Sequence, residues 1–367
     1  MSSQCADSAH AAEGIQPKKT RQRVSRFIER SAQAPKAQTS AFSLFSGWSA
    51  APTSGPNIYA IQHLDAQHIA VGYADGSIKT FDMSSGSFVE TWQFQPFHRG
   101  AVTALTVAPP SIFSQNPVLI SGGRDGVVVT WNTADGTALE HVDCHGGAIC
   151  DISYDASGMP RRLAVATQAD DRCSGMMAGT AQIIKMQGLY KQEYMLSGED
   201  DGGANAASFS PQGTVVATTD VEDNIILYDP QTGKTTDTLS DAAASTLSWA
   251  DENTLYAGAA VSGEGITSTL GAYRRASATD KFALTPFNTI VPIMVARTLR
   301  QRRLCTTVGY VDQNKSTIAL WDVNGNCKKT VPVSGFVGGA FSCSPDEMSA
   351  VIAVGQQTLQ AISLQCD

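Results

Sequence analysis

The chain has 367 residues, 42% of them hydrophobic, enough for two ordinary domains or one large closed β architecture. Its 32 Gly and 15 Pro divide it into short apolar runs, none approaching the ~18 apolar residues of a membrane-spanning helix, which excludes helical membrane insertion. The net charge of −8 is uneven: residues 1–50 hold seven Lys/Arg against three Asp/Glu, or +4, leaving −12 on the remainder, a poor surface for a polyanion.

The opening MSSQCADSAHAAEG lacks the apolar core of a secretory signal, and Asp7 and Glu13 do not suit a mitochondrial presequence. Eight cysteines, at 5, 144, 150, 173, 305, 327, 343 and 366, lie scattered without a C-x-x-C pair and read as reduced intracellular thiols. Residues 1–40 are rich in Ala, Ser, Gln and charge and lack the apolar density that offsets ordering entropy, so they are expected to form a disordered basic tail. Within PKKTRQR, Lys18, Lys19 and Arg21 form a candidate nuclear-import signal, beside the simpler reading of a solvated basic tail. Just after it, Val24, Phe27 and Ile28 fall on one side of a short helix that would order on a partner.

From about residue 41 the texture changes to runs of four to seven residues rich in Val, Ile, Thr, Ala and aromatics, separated by Gly, Asp, Asn and Ser. IAVGYADGSIKTFD at 69–82 and LISGGRDGVVVTWN at 119–132 are two hairpins of one design, each with an Asp-Gly turn. VVATTDVEDNIILYD at 215–229 and CTTVGYVDQNKSTIALWD at 305–322 follow, each closing on an aromatic residue and Asp. The closing aromatics Phe81, Trp131, Tyr228 and Trp321 are 50, 97 and 93 residues apart, the last two being double periods. Weaker copies, AQIIKMQG at 181–188, STLGAYRRAS at 268–277 and TLQAISLQ at 358–365, complete seven units. A period of ~40–45 residues with four strands per unit predicts an all-β, seven-bladed propeller over 41–367, each blade packed on its neighbours.

At Trp131 the hairpin resembles the WD-repeat family: His98 opens the repeat, Ser121 precedes the turn, Asp125 lies in it, and Trp131-Asn132 ends it. The resemblance implies that these four side chains form a hydrogen-bonded chain inside the blade, a structural role in which a buried Trp N–H, hydroxyl, imidazole and carboxylate satisfy one another. Other repeats depart from the pattern, with Phe81 and Tyr228 in place of Trp, Glu222 in place of Asp, and Lys315 at that place before Trp321.

The same Asp125, His98 and Ser121 could be taken for a nucleophilic triad, but their repeat-defining positions favour the blade-stabilising role. His141, Cys144, His145 and Cys150 lie close in sequence yet match no zinc spacing, so no metal is expected. No Gly-rich loop joins a strand to a helix, so no nucleotide cofactor is expected either.

The sequence therefore points to a non-catalytic protein–protein interaction scaffold in a multiprotein complex, in the nucleus or cytoplasm. The alternatives are a nuclear RNA-associated or ribosome-assembly factor and a propeller enzyme with a central-channel site. Labelling the strands of a blade a to d from the centre outward puts the b–c and d–a loops on one face, expected to be acidic through Asp75, Asp125, Asp170, Asp171, Glu199, Asp200, Asp201, Glu222, Asp223, Glu264 and Asp312. The opposite face is expected to gather Arg274 and Arg275 at the end of a third strand, Arg297, Arg300, Arg302 and Arg303 in or beside an a–b loop, and Lys328 and Lys329 after the next third strand. This cluster is the candidate partner-binding surface. The last repeat has room for three strands, and Ala41 to Trp48 is expected to supply its outer fourth.

Overall fold

The computed structural model describes residues 51–52, 55–109, 116–144, 147–155, 157, 161–168, 180–186, 191–196, 203–220, 224–239, 244–259, 269–289, 291–312 and 314–366, with the backbone alone at 51–52 and 191–195. All belong to the compact unit of residues 39–367. Lys18, Lys19, Arg21 and the segment Ala41 to Trp48 lie outside the described residues.

Every regular element among the described residues is a strand, and the strands form seven antiparallel four-stranded sheets. Each blade runs a to d outward. Blade 1 is Ile58–His63, His68–Tyr73, Ile78–Asp82 and Val89–Gln93; blade 2 is Val102–Ala108, Val118–Gly123, Val127–Asn132 and Ala138–Asp143. Blade 3 is Ala148–Tyr154, Arg162–Gln168, Ala181–Lys185 and Lys191–Met195; blade 4 is Ala207–Phe209, Val216–Thr219, Ile225–Tyr228 and Thr235–Leu239. Blade 5 is Thr246–Asp251, Thr254–Gly258, Leu270–Arg274 and Ala283–Pro286; blade 6 is Ile293–Leu299, Leu304–Asp312, Lys315–Asp322 and Cys327–Ser334. Blade 7 supplies Val337–Cys343, Ser349–Val354 and Thr358–Ser363, and its fourth strand is Ala51–Pro52 from the other end of the unit.

That fourth strand pairs Ala51 with Leu359 and Pro52 with Thr358. Pro52 has no N–H to give, and an outer edge strand is where its loss costs least. Each a strand packs on the a strands of both neighbours, and blade 7 packs back on blade 1, which closes the ring.

The apolar residues fall into seven buried clusters, one at each seam between blades. Ala70, Ile78, Phe94, Leu119, Val129 and Trp131 fill the seam of blades 1 and 2, and Ile58, Ile69, Val351, Ala353 and Leu359 fill that of blades 7 and 1. Burial fades outward. Val118–Gly123, a b strand, is buried throughout, whereas Val89–Gln93, a d strand, is mostly exposed. A second strand covered on both faces reads as a continuous apolar run and an outer strand as a polar one. In the b–c turn of blade 2, Gly126 takes φ +76° and returns its N–H to the Gly123 carbonyl at 3.1 Å, a conformation strained for any side-chain-bearing residue. Among the described residues no helix is long and apolar enough to cross a membrane.

Candidate functional site

The four residues read from the Trp131 hairpin meet as one chain of bonds. Trp131 Nε1 donates to Ser121 Oγ at 2.8 Å, Ser121 Oγ lies 2.7 Å from His98 Nε2, and His98 Nδ1 lies 3.1 Å from Asp125 Oδ1. Asp125 also accepts the N–H groups of Arg99 at 2.8 Å and Val127 at 3.3 Å. Burial works to raise the Asp125 carboxyl, but the bonds from His98 and the two backbone N–H groups outweigh it and hold its pKa below the usual value. A Cβ on Gly123 would stand 2.4 Å from Asp125 Oδ1 and 2.6 Å from His98 Nδ1, so only glycine leaves room for the pair. The Ser121 side chain is fully enclosed between Trp131 and His98, which leaves its hydroxyl no open path to a substrate.

Blade 6 repeats the design in shortened form. Trp321 Nε1 donates to Thr307 Oγ1 at 3.1 Å, but Val291 stands against Gly309 where His98 stands against Gly123, and the chain stops at the hydroxyl.

A second set of bonds is absent from the sequence reading. An inner strand turns one edge of its backbone to the channel, and hydroxyls of the preceding blade answer it. Ser153 Oγ accepts Phe209 N–H at 3.0 Å, Thr246 Oγ1 accepts Ala296 N–H at 3.1 Å, Ser248 Oγ accepts Thr298 N–H at 2.9 Å, and Ser342 Oγ accepts His63 N–H at 3.0 Å. Asp151 Oδ2 does the same for Ala207 N–H at 3.3 Å. Burial raises the Asp151 carboxyl above its ordinary value, opposed by the charge of Arg297.

The eight cations of the candidate docking surface separate by role. Arg297 lies within the inner strand Ile293–Leu299, not in a loop, and its Nη1 donates to Ala296 O at 3.0 Å; the turn that follows begins only after Leu299. Arg302 ties blade 6 to blade 7, donating to Glu347 O at 3.0 Å and Leu364 O at 2.7 Å. The Glu347 carboxylate in turn accepts the N–H groups of Gln301 at 3.1 Å and Arg302 at 3.2 Å. Arg275 lies 4.8 Å from the centre of the Phe282 ring and donates to Glu252 O, Asn253 Oδ1 and Ala278 O. Lys328 pairs with Asp322 at 2.9 Å, and Lys329 donates to Gln365 O. Arg274 is half-buried, with Nε and Nη2 enclosed and bonded to no described residue. Arg300 and Arg303 are exposed.

Of the residues close to one another in the 141–150 segment, His145 lies outside the described residues and His141 packs 5.0 Å from the Phe97 ring. Burial pushes the Cys144 and Cys150 thiols up to about 12. The six described cysteines are free. On the b–c and d–a face, Asp75 is taken up by Ser77 N–H at 3.0 Å, Asp125 by His98, and Asp312 by Asn314 N–H at 2.8 Å. Asp170, Asp171, Glu199, Asp200, Asp201, Glu222, Asp223 and Glu264 lie outside the described residues.

No family model matches the chain. It is 24% identical over 194 residues to WD repeat-containing protein 1 of Rattus norvegicus, covering 51% of this chain and 29% of that protein. It is 25% identical over 143 residues to the p21-activated protein kinase-interacting protein 1-like of Gallus gallus, covering 38% of this chain and 34% of that protein. The matches thus span about a third or less of these relatives' length. Among solved structures, a chain of the crystal structure of the mitotic checkpoint complex superposes with a TM-score of 0.68 at 14% identity, over 90% of this chain and 96% of that one. The β-propeller domain of Cps50 (Swd1) from Myceliophteria thermophila gives 0.67 at 11% identity, over 86% and 98%.

Proposed function

Since the chain is a WD-repeat β-propeller by its sequence relatives and its fold, we propose that it is a non-catalytic scaffold that holds other proteins in a complex. The observation that carries this reading is the use of the Asp125–His98–Ser121–Trp131 chain. The acid, base and hydroxyl that could do chemistry are bonded to one another inside a blade. A ring braced at its seams offers its turns on two faces as fixed platforms. That one structural neighbour lies in a mitotic checkpoint complex is in keeping with assembly into complexes.

On the a–b and c–d face, the docking candidates narrow from eight cations to Arg300 and Arg303, the exposed ones among the six arginines, while Lys328 and Lys329 are held by Asp322 and Gln365 O. The scaffold works in the nucleus or cytoplasm, with Lys18, Lys19 and Arg21 as the import signal in the nuclear case; a reporter carrying residues 1–50 that stays nuclear after all three become Ala counts against the signal.

The decisive experiment is affinity purification of the full chain from nuclease-treated extract at physiological salt, followed by quantitative mass spectrometry. Stoichiometric protein partners are expected. A chain recovered alone, or partners lost with the RNA, overturns the scaffold reading in favour of another class.

A further inference from the structure

Arg124 opens the tight b–c turn of blade 2 and is exposed. Its guanidinium does not point away from the ring. It lies 5.1 Å from the centre of the Tyr59 ring, and Tyr59 is the second residue of the inner strand of blade 1, at the end nearest the b–c and d–a face. The side chain therefore crosses from one blade to the next at the mouth of the central channel. Gly100 makes the crossing feasible: a Cβ there would stand 3.2 Å from Arg124 Cβ and 3.4 Å from Asp125 N.

No described carboxylate pairs with this charge. Asp125, its neighbour in the turn, is held by His98, Arg99 N–H and Val127 N–H, and Asp75 by Ser77. Arg99, beside Gly100, is a second exposed guanidinium bonded to no described residue. A guanidinium laid on an aromatic face is held in place without losing its donors, and its planar fork fits a carboxylate with two parallel bonds. A polyanion is disfavoured by the −12 carried outside residues 1–50, whereas one or two carboxylates on an otherwise neutral segment are not.

We infer that the channel mouth over blades 1 and 2 is a docking site for an acidic side chain on an extended segment of a partner protein, with Arg124 on Tyr59 as the anchor and Arg99 as the flanking charge. This rests on the scaffold reading and adds to it a surface and a partner chemistry.

The test is fluorescence anisotropy of a labelled, otherwise neutral Gly-Ser peptide carrying a single central Glu, with the full chain at low and physiological salt. Arg124→Glu should weaken binding about tenfold or more, and Arg124→Lys about threefold, because an ammonium keeps the charge and loses the fork. Tyr59→Leu should also weaken it, and the Lys281→Glu control at an exposed lysine on the other face should stay within about twofold. Thermal melts of each variant keep a folding defect from passing as a binding defect. No peptide binding, equal binding by all variants, or tighter binding of a twelve-nucleotide uridine strand that Arg124→Glu abolishes overturns the proposal. If Arg124→Glu leaves a full set of co-purifying proteins unchanged, this surface falls while the scaffold reading stands.

Discussion

Arg162 grips Asp155 with two nitrogens, Nη2 at 2.7 Å and Nε at 3.0 Å from Oδ2, and both side chains are buried. The guanidinium also donates to Pro230 O at 2.9 Å and Gly213 O at 3.2 Å in blade 4, so a pair formed within blade 3 fastens the next blade. Removing one partner strands a buried charge. Asp155→Ala should cost about 3–5 kcal/mol in urea unfolding, and the double variant Asp155→Leu with Arg162→Met should recover a large part of it. A double variant no better than Asp155→Ala alone would show that the carbonyl contacts to blade 4 dominate.

Trp131 is buried against Phe94, whose ring centre lies 5.4 Å away, and its N–H is satisfied by Ser121. Trp131→Ala should therefore cost about 3–5 kcal/mol through cavity and lost bond. Asp125→Ala, which unties a carboxylate at the edge of the chain, should cost about 1–3 kcal/mol. Thermal melts that leave either variant like the parent would remove the bonded chain from the blade's stability.

His63 should make the fold acid-sensitive in a defined window. Burial lowers its pKa from 6.5 to about 4, against the opposing charges of Asp346 and Asp65, and its Nε2 is buried without a hydrogen-bond partner. Between pH 6.5 and 4 the unfolded chain binds a proton that the folded chain refuses, so stability falls as pH falls through that range. The loss should reach about 2 kcal/mol by pH 5. His63→Leu should show a smaller drop in Tm from pH 7 to pH 5 than the parent, and an identical drop would assign the acid sensitivity to other groups.

The Trp131 blade is legible in the sequence because its signals are local. Ser121, Asp125 and Trp131 share one hairpin, and the Asp-Gly turn fixes which residues face one another. The sevenfold repeat is legible for a similar reason: Phe81, Trp131, Tyr228 and Trp321 each end a c strand of their blade. What the sequence hides is which turn lies over which neighbour. Arg162 reads as a charge at the start of a strand, since Gly213 and Pro230 sit far along the chain, and Ser153 or Thr246 reads as ordinary strand composition. Arg297 to Arg303 reads as one charged loop because spacing does not reveal that the strand runs to Leu299.

Arg302 and its neighbours should separate under substitution. Arg302→Ala breaks two bonds to carbonyls of blade 7 and should lower stability by about 1–3 kcal/mol. Arg300→Ala and Arg303→Ala should each stay within about 0.5 kcal/mol of the parent. Denaturant melts that rank the three equally would contradict the role assigned to Arg302.

Deletion of residues 1–38 should leave Tm nearly unchanged, because the unit that holds the blades starts at residue 39. Deletion of residues 1–54 removes Ala51–Pro52 and exposes the outer edge of Thr358–Ser363, and should lower Tm clearly. Equal melts for the two deletions would show that the two-residue strand does not secure blade 7.

The pairing of Ala51 with Leu359 also sets a timetable for synthesis on the ribosome. Blade 1 is complete at Gln93, yet the apolar face formed by Ile58, Ile61 and Ile69 has no cover until Val351, Ala353 and Leu359 emerge. At ~5–20 residues per second the interval is roughly 13 to 53 seconds. During it the nascent chain carries an unfilled apolar wall and cannot close the longest-range contacts, the slowest to form in any topology. Slowing translation lengthens this exposure, so holdase chaperones should be captured on ribosome-bound chains that end before blade 7 and released from those that extend past Ser363.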